Sequence, residues 1–319
     1  MKHLKKLLII LIALPIIILS GCKDNLDSID IYATIYPVEY IVKRIVEDDF
    51  TVKSVYPRGK DVHDYELGPK EIIKITKSKL LFYIGINLES QIEKSLNSTL
   101  KKVKSVCLSE GMELIAINSE DLDEHYHEED HDDGVFYDPH IWLDLSKMQI
   151  ITTKVLNTIL ETFDLTHEQT LRYKENANNL IEDLKQLDQD YFNVINSEDV
   201  LSKTIIVDHD AYIYWQARYG LERIRIRNDN ESTDAIPKDM LEKIKEAKAK
   251  NIKYICLTKN ELTSAIAETY RVELGLDKDA FLYLHHLATI TAEEEKLGYD
   301  YLALMRYNLE ILAKALPKK

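Results

Sequence analysis

The chain has 319 residues, a formal net charge of −14 at neutral pH, nine glycines and three cysteines. So acidic a body repels nucleic acid and anionic lipid surfaces, and so few cysteines do not make a disulfide framework. The length beyond the first residues suits two domains of roughly 130–150 residues each.

Lys2, Lys5 and Lys6 form a positive start, and residues 7–19 are an uninterrupted apolar stretch. That is too short for an ordinary membrane-spanning helix and matches a secretory signal. Leu19-Ser20-Gly21-Cys22 resembles the lipobox of bacterial lipoproteins. The resemblance implies that residues 1–21 are removed, that Cys22 takes a diacylglycerol, and that 22–28 tether the body to the cell membrane. Two acyl chains suffice for stable anchoring where one is marginal. The competing reading is an ordinary cleaved signal with an incidental cysteine. Removing 1–21 takes three lysines and no acid, so the formal charge moves from −14 to −17. Cys107 and Cys256 remain, each inside an apolar run, which favours core packing over a bridge.

Strand-like and helix-like segments then alternate. Strands are expected at 29–35, 51–56, 80–86 and 103–108, with helices at 38–47, 69–77 and from 88 onward. A helix begins near Leu145. The second half repeats the pattern, with strands at 204–207, 223–227, 252–257 and 280–284. Its helices are expected at 211–219, 237–248, 261–274 and 299–312. The fold class is therefore α/β: two lobes, 29–165 and 198–319, each a mostly parallel sheet flanked by helices. Between them, 166–197 read as a long rigid connecting helix. Thr166 and Gln169 make a capping box, and Tyr173, Ala177, Leu180, Leu184, Leu187, Tyr191 and Val194 recur at steps of four and three. A coiled-coil dimerisation helix is the alternative. The short pattern between two α/β halves favours the intramolecular role and a monomer.

Ligands in open α/β sheets bind beyond the carboxyl ends of the strands. His63, His209 and His285 follow predicted strands, and His140 precedes a helix. A single loop histidine is usually a solvated polar residue, but several at such positions suggest a metal site gathered from distant segments. Its richest stretch is Asp138-Pro139-His140-Ile141-Trp142-Leu143-Asp144.

These residues carry a family resemblance. Tyr56-Pro57-Arg58-Gly59 with His63, Glu66 and Pro69, the Asp138–Asp144 stretch, and Asp208-His209-Asp210-Ala211-Tyr212 with Tyr214 and Tyr219-Gly220-Leu221 are similar to successive motifs of one receptor family. Leu284-His285 and Tyr301, Met305 and Tyr307-Asn308-Leu309 resemble a fourth region. The family is the ZnuA- and TroA-like metal-binding solute receptors of bacterial zinc and manganese ABC importers. The resemblance implies metal ligands at His63, His140 and His209. The fourth ligand is open among His285, His286, a water or a carboxylate, since the family commonly has an aspartate where His285 aligns. It also implies an ABC permease and its ATPase as partners. Imidazole-rich sites suit Zn²⁺, whereas Mn²⁺ prefers more oxygen donors. Asp61, Asp64, Asp208 and Asp210 are candidates to orient the rings and offset the ion's charge.

The segment 118–137 carries His125, His127 and His131 among nine acidic residues and cannot bury a core. It reads as a solvated loop that collects or senses metal at low affinity, or as an acidic loop with incidental histidines. An enzyme reading is disfavoured: there is no His-Glu-x-x-His helix, nucleophile elbow or phosphate-cradling glycine loop. A zinc-dependent hydrolase or a surface adhesin remains as an alternative.

Overall fold

Short runs of β-branched, aromatic and leucine residues form the first sheet: β1 (Ile31–Ala33), β2 (Val52–Ser54), β3 (Leu80–Tyr83) and β4 (Lys104–Cys107). Their order is β2-β1-β3-β4 and every pairing is parallel. Helices α1 (Tyr36–Val46), α2 (Pro69–Ile75) and α3 (Ser90–Ser95) lie between successive strands. The computed structural model describes residues 29–63, 65–117, 136–226, 238–260 and 263–319. Cys22, Asp64 and the loop histidines His125, His127 and His131 therefore lie outside the described residues.

Two features of the first half were not expected from the sequence, a strand pairing and a turn. β5 (Ala116–Ile117) and β6 (Phe136–Tyr137) pair antiparallel, so the last two residues of the 118–137 segment are strand. A single 3₁₀ turn over Ile141–Leu143 then leads into α4 (Leu145–Thr162), whose N-terminus Asp144 caps by accepting from the Ser146 and Lys147 amides.

Helix α5 (His167–Ile195) carries the expected capping box between Thr166 and Gln169. It packs on α1 and α4 on one side and reaches the second half of the molecule on the other. That half holds β7 (Thr204–Val207), α6 (Ile213–Tyr219), β8 (Glu222–Arg225), α7 (Lys238–Ala249), β9 (Ile255–Thr258), α8 (Ala265–Leu274) and β10 (Phe281–Leu284). Its sheet runs β10-β9-β7-β8, again all parallel. A five-residue helix, α9 (Ala292–Lys296), was not expected; α10 (Tyr301–Ala315) closes the chain against α5. The two-lobed α/β architecture is thus the one expected. The lobes are not separate in packing, because one apolar cluster runs from Ile31 through the α5 stripe to Leu316. A smaller cluster of Ile206, Ile244, Leu257 and Tyr270 fills the far face of the second sheet.

Observed strands are shorter than the apolar runs that foretold them. The run 80–86 leaves the sheet after Tyr83 because Gly85, Ile86 and Asn87 all take positive φ, at 83°, 63° and 60°. A β-branched residue seldom adopts that conformation, and Glu89 holds it in place. Its buried carboxyl accepts from the Ile84 and Gly85 amides and from the Thr34 hydroxyl. Burial outweighs these donors and pushes the Glu89 carboxyl up to about 7. A folded value above the unfolded one means stability that is full below the ordinary glutamate range and is lost as pH rises through about 7. In metal-free protein, denaturant unfolding at about pH 5 and about pH 8 should therefore show a steeper loss for wild type than for Glu89→Gln. The difference should be on the order of 3 kcal/mol. Parallel profiles for the two proteins would refute the assignment.

Candidate metal centre

In each sheet the chain reverses direction of travel at one strand: β1 lies between β2 and β3, and β7 between β8 and β9. Such switch points open a crevice at the carboxyl ends of the strands. His209 lies just past the end of β7, and the loop after β2 brings His63 to face it. His140 arrives from the turn before α4. The three converge: their ligand atoms lie within 4.8 Å of one another. The Nε2 atoms of His63 and His140 are 3.3 Å apart. Two nitrogens each about 2.0–2.1 Å from one tetrahedral zinc stand about 3.3–3.4 Å apart, so this pair already has the spacing of a zinc site. The ring of His209 lies 5.3 Å from that of His140 and 6.1 Å from that of His63.

The sequence repeats one device around these rings. Asp61 and Asp138 each stand two residues before a histidine, and each accepts the histidine's backbone N–H, at 2.8 Å for His63 and 2.9 Å for His140. Asp138 also meets Nδ1 of His140 at 3.1 Å, which fixes the tautomer and leaves Nε2 toward His63. Sequence reasoning assigns Asp138 no role of its own; the shared Asp-x-His spacing is the signal for it. Asp138→Asn should lower metal affinity by about 10–100-fold in a chelator competition, with an unchanged melting curve for metal-free protein. Unaltered affinity would exclude this orienting role.

The other acidic candidates behave differently. Asp208 accepts from the His209 amide and from both the amide and the hydroxyl of Thr258, so it sets the backbone after β7 and not a ring. Asp210 departs from expectation: its two oxygens are taken by Arg223 and Arg225, neighbours along β8 that a single sequence cannot place opposite it.

His285 and His286 follow β10 with their rings stacked 5.7 Å apart, and their surroundings separate them. His285 is not brought into the three-histidine group. Its Nδ1 accepts from the Leu287 amide at 2.9 Å, and its Nε2 faces Glu294 at 3.5 Å. Asn308, from α10, accepts the His285 amide and donates to its carbonyl. Burial alone would raise the Glu294 carboxyl, but hydrogen bonds from His285, Lys259 and the Thr291 amide hold it far below the carboxylate range. Glu294 lies on α9, whose polar five residues give no periodic signal, and it was missed. His286 instead presents Nδ1 to Asp61 at 3.4 Å, and its ring lies 6.3 Å from that of His209. Burial drives the His286 imidazole down to about 3 despite the Asp61 charge. Burial would raise Asp61, yet the facing His286 and His63 rings and the His63 amide bring it down to about 2. A cleft of ≈ 350 Å³, lined by Lys60, Asp61, Tyr65, Lys259, His285 and His286, opens this side of the site to solvent.

The 138–143 turn that delivers His140 is clamped by aromatic donors from the other half. Tyr214 donates to the Asp138 carbonyl, Tyr301 to that of Trp142 and Trp215 to that of Leu143. In return, Trp142 Nε1 donates to the His286 carbonyl at 2.8 Å. All four aromatic side chains are buried. Arg58 adds a polar tie, pairing with Glu39 of α1 and Glu295 of α9. Neither cysteine among the described residues joins the site: Cys107 and Cys256 are both free thiols, and burial pushes Cys256 up to about 12.

Two parallel α/β lobes on a common helical spine, with histidines meeting where the strands end, form the architecture of two-lobed solute receptors. The profile of the ZnuA family, described as zinc-uptake complex component A, periplasmic, matches residues 31–315, and the chain belongs to that family. It is 30% identical over 296 residues to the zinc-binding protein AdcA of Streptococcus pyogenes serotype M6. That match covers 89% of this chain and 55% of AdcA, so the chain spans little more than half the length of such relatives. It is 26% identical over 325 residues, the whole of both chains, to the manganese ABC transporter substrate-binding lipoprotein PsaA of Streptococcus anginosus. The Zn(II)-bound ZnuA-like domain of Streptococcus pneumoniae AdcA superimposes with a TM-score of 0.72 at 25% identity, covering 91% of this chain and 99% of that domain.

Proposed function

We propose that this chain is an extracytoplasmic receptor that captures Zn²⁺ between its lobes and delivers it to an ABC importer. The observation that carries the reading is the convergence of His63, His140 and His209, with two nitrogens at the separation of a tetrahedral zinc site. These three are the ligands. The neutral imidazole set favours zinc over manganese, although the full-length relative PsaA keeps a manganese receptor as the second reading. The chain acts as a carrier and not as an enzyme, with metal as cargo. Residues 1–21 are its signal, Cys22 its lipid anchor and 22–28 its tether. Lobes 29–165 and 198–319 are joined by 166–197, the receptor works as a monomer, and its partners are the permease and its ATPase. His125, His127 and His131 gather ions at low affinity on the 118–137 loop.

Purified protein titrated against a chromophoric chelator should bind one tight Zn²⁺ per chain and Mn²⁺ at least about 100-fold more weakly. Affinity should fall as pH drops through the ordinary imidazole range, about 6–7, because protons compete for the ligand nitrogens. Removing the ion should lower the melting temperature, by the equivalent of about 4 kcal/mol when zinc had stood at 1,000 times its Kd. Tight binding that vanishes with the 118–135 loop and persists in His63, His140 and His209 variants would sink the reading.

A further inference from the structure

We propose that His286, and not His285, is the fourth zinc ligand, held by Asp61, so that the ion sits among four imidazoles. The inference rests on the zinc-receptor reading above and extends it to the donor set. His285 is excluded by its surroundings. Its Nδ1 accepts the Leu287 amide, so the ring proton is on Nε2, the nitrogen that faces Glu294. Asn308 fixes its backbone on both sides. Neither nitrogen is left for a metal.

His286 has the opposite arrangement. Asp61 stands at its Nδ1, which leaves Nε2 as the donor nitrogen. This repeats the pairing of Asp138 with Nδ1 of His140, whose Nε2 meets that of His63. A carboxylate on the outer nitrogen of a ligating histidine fixes its tautomer and raises its basicity. The ring of His286 is as close to His209, at 6.3 Å, as the ring of His63 is, at 6.1 Å. Its carbonyl is tied by Trp142 to the turn that carries His140. His286 lies outside the tight group of three, so the ion draws its ring inward by side-chain rotation on an anchored backbone.

Charge supports the same set. Four neutral imidazoles give no negative charge to offset a divalent ion, and buried charge left unbalanced is costly. Asp61 and Asp138, each against the outer nitrogen of a ligand ring, supply two. A site of this kind excludes Mn²⁺ through its lack of oxygen donors, so the fourth imidazole also sets selectivity.

The test uses zinc-loaded protein. Zinc X-ray absorption on wild type should show four nitrogen neighbours with imidazole scattering, and Co²⁺-substituted protein should show the intense visible bands of a tetrahedral site. His286→Ala and the closer mimic His286→Gln should each weaken Zn²⁺ binding at least about 100-fold and narrow the preference over Mn²⁺; Asp61→Asn should cost about 10–100-fold. His285→Gln should leave the Co²⁺ bands unchanged. Three imidazoles plus an oxygen donor in wild type would overturn the proposal, as would wild-type affinity and bands in both His286 variants. A wild-type protein that binds no zinc would overturn the receptor reading itself, which the initial titration registers separately.

Discussion

Zinc affinity should fall at least about 100-fold when His140 is replaced by alanine, and comparably for His209→Ala. Partners that merely orient a ligating histidine cost about 10–100-fold on removal, and a ligand itself costs more. His140 is the more informative of the two, because its ring stands between Asp138 and the Nε2 of His63. His209 is the cleaner control, being only half-buried after β7. Chelator competition on both variants, with circular dichroism to confirm the fold, checks the result. Wild-type affinity in both would remove the site from these histidines.

The second large effect is structural. Trp142→Ala should lower the unfolding free energy of the metal-free protein by about 3–5 kcal/mol, the usual cost of emptying a buried indole site. Trp142 is fully buried, its Nε1 reaches the His286 carbonyl, and its own carbonyl takes the Tyr301 hydroxyl. Truncation also frees the two segments that carry His140 and His286, so zinc affinity should drop with stability. Trp142→Phe separates the contributions: it keeps most of the volume and leaves one buried carbonyl unpaired, at about 1–3 kcal/mol. An unshifted urea midpoint for Trp142→Ala would show that the turn does not depend on this contact.

Much of the architecture was legible because each lobe follows a simple rule. Apolar runs such as 204–207 became strands, and the Thr166–Gln169 box with the Tyr173–Tyr191 stripe became the spine. Ends of elements were less legible. The 261–274 helix starts at Ala265 because Ser264 caps it, accepting from the Ala267 amide. Three-histidine convergence could be anticipated, since His209 adjoins the end of a strand, His140 the start of a helix, and His63 lies in a loop that follows a strand. Choosing between His285 and His286 could not. That choice depends on the Leu287 amide, Glu294 on a short polar helix and Asp61 more than two hundred residues away. Asp210 was misjudged for the same reason, its arginine partners being neighbours only once β8 is laid against β7.

The apolar cluster that threads both lobes through α5 limits how this receptor can breathe. Bending the molecule wide apart would tear that shared interior, whereas turning a few side chains around the solvent-facing cleft would not. Under the proposed receptor role, loading and discharge would rest on rotamer and loop motions, which run on nanosecond to microsecond scales. Under the carrier role proposed above, release would fall at the rim of the cleft lined by Lys60 and Lys259.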